Sequence, residues 1–275
     1  MIIQGTIGCP HNKCNFCTMY KDKKFQIRKV PEIKEDLDMA GEYYGPDVRT
    51  IFFADGNTIL MKTRDLQEIF AYANQVFPGL ERITVYGSAR FIALKSLSEY
   101  RALQKEGLKR IHSGMESGDD QVLKFINKGT DSAELIRAGK LVKEAGIELS
   151  EYILTGAGGK EFSRQHGLNS AQVINRINPD FIRLRTFLPL PGTVMYDLYK
   201  KGEFRLLSSH EALRETRLFI ENLADIDSLL LSDHYLNYWN VNGRLPYDQE
   251  LILKEIDFAL TYPESYFRNP AEGHL

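Results

Sequence analysis

Three cysteines, the only ones in the chain, lie close together near the amino terminus. Cys9, Cys14 and Cys17 have the spacing Cys-x4-Cys-x2-Cys. Thiolates are soft ligands that select zinc or iron–sulfur clusters. A closed site needs four ligands, so this loop is one ligand short. Two hypotheses follow: a zinc ion with His11 as the fourth ligand, or a [4Fe–4S] cluster with one iron open to an exogenous ligand.

The cysteine loop follows the first of six predicted strands. Their ranges are 2–8, 50–55, 82–87, 109–114, 147–154 and 181–187, with predicted helices at 31–44, 63–77, 93–106, 119–144 and 161–176. Most strands begin about 30 residues apart, which is the repeat of β/α units in a parallel sheet. We therefore predict an α/β fold of the partial TIM-barrel type, (β/α)6. Functional groups of such folds gather at the carboxyl ends of the strands.

The last quarter of the chain departs from this repeat. A strong helical segment near 209–223 and a final helix near 248–260 are predicted there. We expect residues 1–204 to form the core barrel and 205–275 to form a helical cap packed on it.

Composition restricts the class of protein. A net charge of −2 gives no field that attracts nucleic acid or an anionic membrane, so neither partner is expected. No apolar run reaches the roughly 20 residues that span a bilayer, and the first residues lack the features of a secretory signal. Clustered cysteines indicate metal ligation in a reducing compartment, so a cytoplasmic location is expected.

The cysteine loop resembles that of the radical S-adenosylmethionine (SAM) superfamily, whose signature is usually Cys-x3-Cys-x-aromatic-Cys. Phe16 before Cys17 matches the aromatic position, while the gap after Cys9 is one residue longer. The resemblance implies a [4Fe–4S] cluster on Cys9, Cys14 and Cys17, with SAM on the fourth iron. Reductive cleavage of SAM would yield a 5′-deoxyadenosyl radical that abstracts hydrogen from a small or medium organic substrate. It also implies Phe16 beside the adenine and an electron donor such as flavodoxin or ferredoxin.

Two of the later strand ends extend this resemblance to the methionine part of SAM. "FFADGNTI" places Asp55, Gly56 and Asn57 where the superfamily binds the methionine amino group. Ser88 in "VYGSAR" would face the same open end of the barrel, where the carboxyl ends of the strands gather. The alternatives are an ordinary Asp-Gly turn and a helix cap.

The fourth and sixth strand ends carry the remaining expected SAM contacts. "SGMESGDDQVL" resembles the superfamily's fourth-strand segment, which implies Ser113 and Glu116 at SAM, with Glu116 on the ribose. Lys128 would meet the SAM carboxylate, or else be a solvated lysine. Phe187 and Leu188, before a segment similar to "PGT-x-x-Y", would flank the adenine.

Two further groups of residues are candidates for substrate contact. His234, Tyr238 and Trp239 lie in "SDHYLNYWNVNG", which either touches substrate at the barrel mouth or is an amphipathic stretch that seals it. Arg183 and Arg185 alternate on one strand face and would serve an acidic substrate or structural ion pairs.

Alternative functions remain open at this point. One is an oxygen-independent coproporphyrinogen oxidase-like or heme-handling protein. Another is a zinc-stabilised binding module without enzyme activity. The basic run "YKDKKFQIRK", residues 20–29, is either a solvated loop or a docking face for an acidic electron donor.

Overall fold

Strands and helices alternate along residues 1–267, the part of the chain that the computed structural model describes. The strands are β1 Ile2–Gln4, β2 Thr6–Ile7, β3 Gln26–Ile27, β4 Thr50–Ala54, β5 Arg82–Tyr86, β6 Leu108–Glu116, β7 Glu148–Thr155, β8 Phe181–Thr186, β9 Ser228–Leu231 and β10 Gly243–Leu245. The α-helices are α1 Val30–Tyr44, α2 Thr63–Val76, α3 Ala89–Ile92, α4 Leu97–Lys105, α5 Asp120–Phe125, α6 Ser132–Glu144, α7 Gly159–Ile177, α8 Val194–Lys200, α9 Ser209–Glu221 and α10 Gln249–Ala259. Five of the six predicted strands are present as single strands, whereas the predicted strand 2–8 is divided at Gly5 into β1 and β2.

Eight of the strands form one sheet in the order β1-β4-β5-β6-β7-β8-β9-β10, and β2 pairs with β3 separately. The pairs β1–β4, β4–β5, β5–β6, β7–β8 and β8–β9 are parallel, whereas β10 is antiparallel to β9. The two strands of each of these parallel pairs are joined through at least one helix, as parallel pairing requires. The predicted α/β class with parallel strands is confirmed.

Two predicted helices differ from the observed ones. The segment 119–144 divides into α5 and α6, because Asn127 and Gly129 adopt left-handed φ angles of 51° and 76° that end the first helix. The predicted helix 93–106 begins later, as α4, and the short α3 precedes the predicted segment. There Ser96 and Glu99 form a reciprocal capping box that starts α4.

The carboxyl-terminal segment adds strands that the sequence did not predict. β9 pairs in parallel with β8, with Phe181 opposite Leu229 and Arg183 opposite Leu231, and β10 pairs with β9. These strands span four and three residues, too short for a periodic pattern to show. The boundary between residues 204 and 205 stays a prediction.

The first of two compact units comprises Met1–Asn12, Met19–Ser113 and Arg137–Leu149. Helices α1 and α2 are amphipathic, and each buries one apolar face. Leu37 of α1, Phe70 of α2 and Phe53 of β4 are at most 1% exposed. Burying such side chains stabilises a fold by about 1.5–3 kcal/mol each.

The second unit comprises Lys13–Thr18, Gly114–Ile136 and the described residues from Ser150 onward. One buried cluster consists of Val122, Ile126 and Ala157. Another is built from Phe187, Met195 and Phe204. Among the helices of residues 1–267, none is long and apolar enough to cross a membrane.

Candidate functional site

The cysteine loop presents three half-buried thiols, none of which is in a disulfide. Cys9 belongs to the first unit, and Cys14 and Cys17 belong to the second. Within residues 1–267, no three His, Cys, Asp or Glu side chains are arranged to hold one metal ion. In a [4Fe–4S] cluster each thiolate binds a different iron, and three cysteine thiols are the soft donor set that such a cluster uses.

Asp55 anchors the first part of the cysteine loop within the first unit. Its Oδ2 accepts hydrogen bonds from the backbone nitrogen of Gly8 and from Gln4 Nε2, each at 3.0 Å, and its Oδ1 accepts one from the Tyr20 hydroxyl at 3.4 Å. Burial, with the Asp55 charge as the next cause, raises the pKa of Tyr20. Asp55 has a left-handed φ of 70°, an uncommon conformation that marks functional sites. The carboxylate therefore holds the residue that precedes Cys9.

Gly56 and Asn57 continue this anchoring. A Cβ on Gly56 would lie 2.7 Å from the Gly8 carbonyl oxygen and 2.9 Å from Cys9 Cα, so only glycine fits. The side chain of Asn57 is buried and accepts a hydrogen bond from the Ser88 nitrogen at 2.7 Å. The close approach predicted at Gly56 is thus made by the cysteine loop itself. SAM contact by Asp55, Gly56, Asn57 and Ser88 stays a prediction.

Asn15 anchors the later part of the loop within the second unit, which sequence reasoning missed. Its backbone nitrogen donates to Ile126 O at 2.9 Å, and its Nδ2 donates to Phe125 O at 2.7 Å. Its carbonyl oxygen accepts from Met195 N at 3.0 Å. Asn127 Nδ2 donates to the Lys13 carbonyl oxygen at 2.9 Å. The only available signal was the turn-forming "INKG" segment that follows α5.

Phe16 is half-buried and packs against both apolar clusters of the second unit. Phe187, predicted to flank the adenine, is 2% exposed and lies in the second of these clusters, and Leu188 is half-buried. The structure therefore brings Phe16 and the Phe187 cluster together.

Glu116 and Lys128 form an ion pair at the end of β6. Lys128 Nζ lies 2.9 Å from Glu116 Oε1, and the two side chains are 12% and 15% exposed. A Cβ on Gly114 would lie 2.2 Å from Glu116 Oε1 and 3.0 Å from Lys128 Nζ. The missing side chain at Gly114 therefore makes the space that the pair fills. Glu116 also has a left-handed φ, of 63°.

Ser113 lies on the opposite side of β6 from this space. Side chains alternate along a strand, and Ser113 is fully buried like Ile111 and Met115. Its Oγ has no hydrogen-bond partner among residues 1–267. Strand alternation thus does not bring Ser113 to the side of Gly114 and Glu116, where it was expected.

The candidate substrate contacts His234, Tyr238 and Trp239 lie in the segment 232–243, and their contacts differ. The Trp239 ring stacks on Tyr262 at 5.9 Å between centroids and meets Phe258 edge-on at 6.5 Å. His234 Nδ1 accepts a hydrogen bond from the Leu236 nitrogen at 3.3 Å, and Tyr238 lines a small cavity beside Trp239. These contacts favour the sealing role for Trp239. Substrate contact by His234, Tyr238 and Trp239 stays a prediction.

Asn237, in the same segment, anchors residues 232–243 to β8 by hydrogen bonds. It is buried, its Oδ1 accepts from the Thr186 nitrogen at 2.8 Å, and its Nδ2 donates to the Leu184 carbonyl oxygen at 2.9 Å.

Comparison with known proteins agrees with this arrangement. The family model described as the Radical SAM superfamily matches residues 3–163, more than half of the chain. The uncharacterized protein MJ0486 of Methanocaldococcus jannaschii is 24% identical over 229 residues, covering 79% of this chain and 70% of that protein. The heme chaperone HemW of Bacillus subtilis is 21% identical over 252 residues, covering 84% and 65%.

Other matches are shorter or concern the fold alone. The tRNA uridine(34) acetyltransferase of Methanocaldococcus infernus is 26% identical over 119 residues, and this chain covers 22% of it. The structure of methylornithine synthase (PylB) matches with a TM-score of 0.55 and 17% identity, over 98% of this chain and 83% of that one. The likeness shows a shared fold, and the predicted partial TIM-barrel class is confirmed.

Proposed function

The chain belongs to the radical SAM superfamily, and on this basis we propose that Cys9, Cys14 and Cys17 bind three irons of a [4Fe–4S] cluster. Members of the superfamily use such a cluster together with SAM. When bound, the reduced cluster supplies the electron that cleaves SAM to methionine and a 5′-deoxyadenosyl radical. The observation that carries the proposal is the anchoring of the residue before Cys9 by the Asp55 carboxylate.

The Glu116–Lys128 pair is the proposed contact for the polar parts of SAM. A carboxylate offers only acceptors, which suits the two ribose hydroxyls, and Glu116 Oε1 already accepts from Lys128. Lys128 offers three donors, which suits the SAM carboxylate. The pair would keep both charges compensated before SAM binds, since an unpaired buried charge is costly.

The apolar residues of the second unit are proposed to hold the adenine. Phe16 and Phe187 belong to one packed group, and Leu188 follows Phe187 directly. Such a group excludes water from the reacting region, which protects a radical from side reactions.

His234 and Tyr238 are proposed substrate contacts, with Trp239 supporting them.

The electron donor is proposed to dock at residues 20–29. Lys21, Lys23, Lys24 and Lys29 are exposed there, while Arg28 pairs with Asp36. Exposed cations attract an acidic protein such as flavodoxin or ferredoxin. Reduction by flavodoxin should therefore slow as salt rises. A rate that is independent of salt would contradict this docking face.

Similarity to the heme chaperone HemW favours a second candidate function, in heme or porphyrin handling. The purified protein would then bind heme stoichiometrically, with a shifted absorption band. A spectrum of added heme that matches free heme would remove this candidate.

Anaerobic reconstitution with iron and sulfide tests the main proposal. We expect about four irons and four sulfides per chain, and dithionite-dependent formation of 5′-deoxyadenosine from SAM. The triple variant with Cys9→Ala, Cys14→Ala and Cys17→Ala is the matched control and should show neither. A colourless protein that binds one zinc and leaves SAM intact would overturn the proposal.

A further inference from the structure

Two arginines lie side by side on the accessible face of β8. Arg183 is half-buried and Arg185 is exposed, whereas the alternate residues Ile182 and Leu184 are 0% and 3% exposed. Because side chains in a strand alternate, both guanidinium groups project from the face opposite the buried one. Their Cα atoms are two residues apart, about 6.6 Å in a parallel strand.

The residues paired with these arginines in the sheet register carry no opposite charge. Arg183 lies opposite Tyr152 on β7 and Leu231 on β9, and Arg185 lies opposite Leu154. Among the residues that the structure describes, neither guanidinium forms an ion pair with a carboxylate. Two like charges are therefore held next to each other without compensation, which is unfavourable unless an anion joins them.

The contacts that do exist orient the two groups. Arg183 Nε donates to Ser150 Oγ at 3.3 Å, and the guanidinium carbon of Arg185 lies 4.7 Å from the centre of the Tyr152 ring. The first contact uses one nitrogen and leaves the two terminal nitrogens of Arg183 available. Stacking on an aromatic face leaves the edge donors of Arg185 available.

The same face continues toward the cysteine loop. Leu154, the partner of Arg185 in the register, packs against Val122, Ile126 and Ala157. Phe16, between Cys14 and Cys17, packs against the same cluster. A molecule held by the arginines would thus extend along Leu154 toward the loop that bears the cluster ligands.

We propose that Arg183 and Arg185 bind an oxyanion of the substrate, and that the substrate is an organic acid bearing a carboxylate or a phosphate monoester. The planar forks of two arginines match the paired oxygens of either group. Tyr152, Leu154 and Leu231 would contact its apolar part. The inference rests on the proposed function for its chemistry, but the anion site has its own test.

Binding of succinate and of inorganic phosphate to the reconstituted holoenzyme, measured by titration calorimetry, tests the site. We expect each of Arg183→Gln and Arg185→Gln to weaken binding about tenfold, the effect of one lost charge-assisted contact. The double variant should bind neither probe. Arg164→Gln, on an exposed position of α7, is the matched control and should bind like wild type. A preference for succinate or for phosphate identifies the group that the substrate bears.

Two further measurements separate this inference from the general proposal. Arg183→Lys with Arg185→Lys keeps the charge but loses the planar forks, and should restore only part of the affinity. Formation of 5′-deoxyadenosine from SAM without substrate should be unchanged in all the arginine variants. Wild-type protein that binds neither probe, or a double variant that binds both as wild type does, would overturn the inference. Probe binding by a protein that does not cleave SAM would remove the proposed function and support the anion site.

Discussion

Lys128 Nζ lies 2.9 Å from Glu116 Oε1, and the backbone φ of Glu116 is 63°. A left-handed conformation costs a residue other than glycine roughly 1–2 kcal/mol. A strained residue that also carries a largely enclosed charge is a feature of ligand sites. The pair is the sharpest structural mark of the proposed SAM site in the second unit.

Gly114→Ala should weaken SAM binding without unfolding the protein. The new Cβ would meet the ends of the Glu116 and Lys128 side chains at 2.2 and 3.0 Å. Since both are flexible ends, they should move aside, and we expect the Kd for SAM to rise about tenfold, as one lost charge-assisted contact would. Equilibrium dialysis with labelled SAM measures this. Gly79→Ala, whose Cβ would have only ordinary contacts beyond 3.7 Å, is the control. Equal SAM affinity in both variants would contradict the prediction.

Asp55→Asn should loosen the cysteine loop while keeping the local backbone, because asparagine also tolerates left-handed φ. The charge-assisted hydrogen bonds to Gly8 and Gln4 would be replaced by weaker ones, at about 1–3 kcal/mol. We expect the cluster to be lost faster in air, and the decay of its visible absorbance measures this loss. Asp22→Asn, an exposed residue nearby, is the control. A cluster as durable in the Asp55 variant as in the control would contradict the anchoring role.

Glu215→Gln should stabilise the protein increasingly as pH rises. Burial raises the pKa of Glu215 above its ordinary 4.5, so the folded state binds the proton more tightly than the unfolded state does. Wild-type stability from this group is therefore complete below pH 4.5 and is lost as pH rises through the elevated pKa.

Glutamine mimics the protonated acid and can still accept the hydrogen bond from the Gly156 nitrogen. His166, whose Nε2 lies 3.5 Å from Glu215 Oε1, faces the same group. Urea unfolding at pH 5 and pH 8.5 measures the difference, with the exposed Glu203→Gln as control. The prediction states that the variant's gain in free energy of unfolding rises with pH. A variant that is less stable than wild type at pH 8.5, but not at pH 5, would reverse the sign of this change and refute the prediction.

Variants at Trp239 and at His234 should distinguish a role in folding from a role in substrate contact. Trp239→Ala removes a ring that packs on Tyr262 and Phe258 and should lower the free energy of unfolding by about 3 kcal/mol. Trp239→Phe should retain most of that stability. His234→Gln should abolish substrate turnover while 5′-deoxyadenosine still forms from SAM. Loss of both activities together with folding would exclude the substrate role of His234.

The six predicted strands were found because each combines β-branched or aromatic residues with a turn at its end, as "TIFFAD" does at β4. The short strands β9 and β10 were missed because three or four residues carry no measurable period. The division of 119–144 into α5 and α6 depended on left-handed turns at Asn127 and Gly129, which "NKG" made identifiable in hindsight.

By itself the sequence determined the parallel α/β class and membership in the family that matches 3–163, and it predicted that Cys9, Cys14 and Cys17 are soft thiolate ligands. These depend on residue types and spacing along the chain, which are local properties. The tertiary structure alone decided that Gly56 makes room for the Cys9 loop, that Gly114 makes room for Glu116 and Lys128, and that Ser113 is buried on the other side of β6. Such relationships depend on which backbone approaches which and on the face from which a side chain projects, and distant segments define both only after folding.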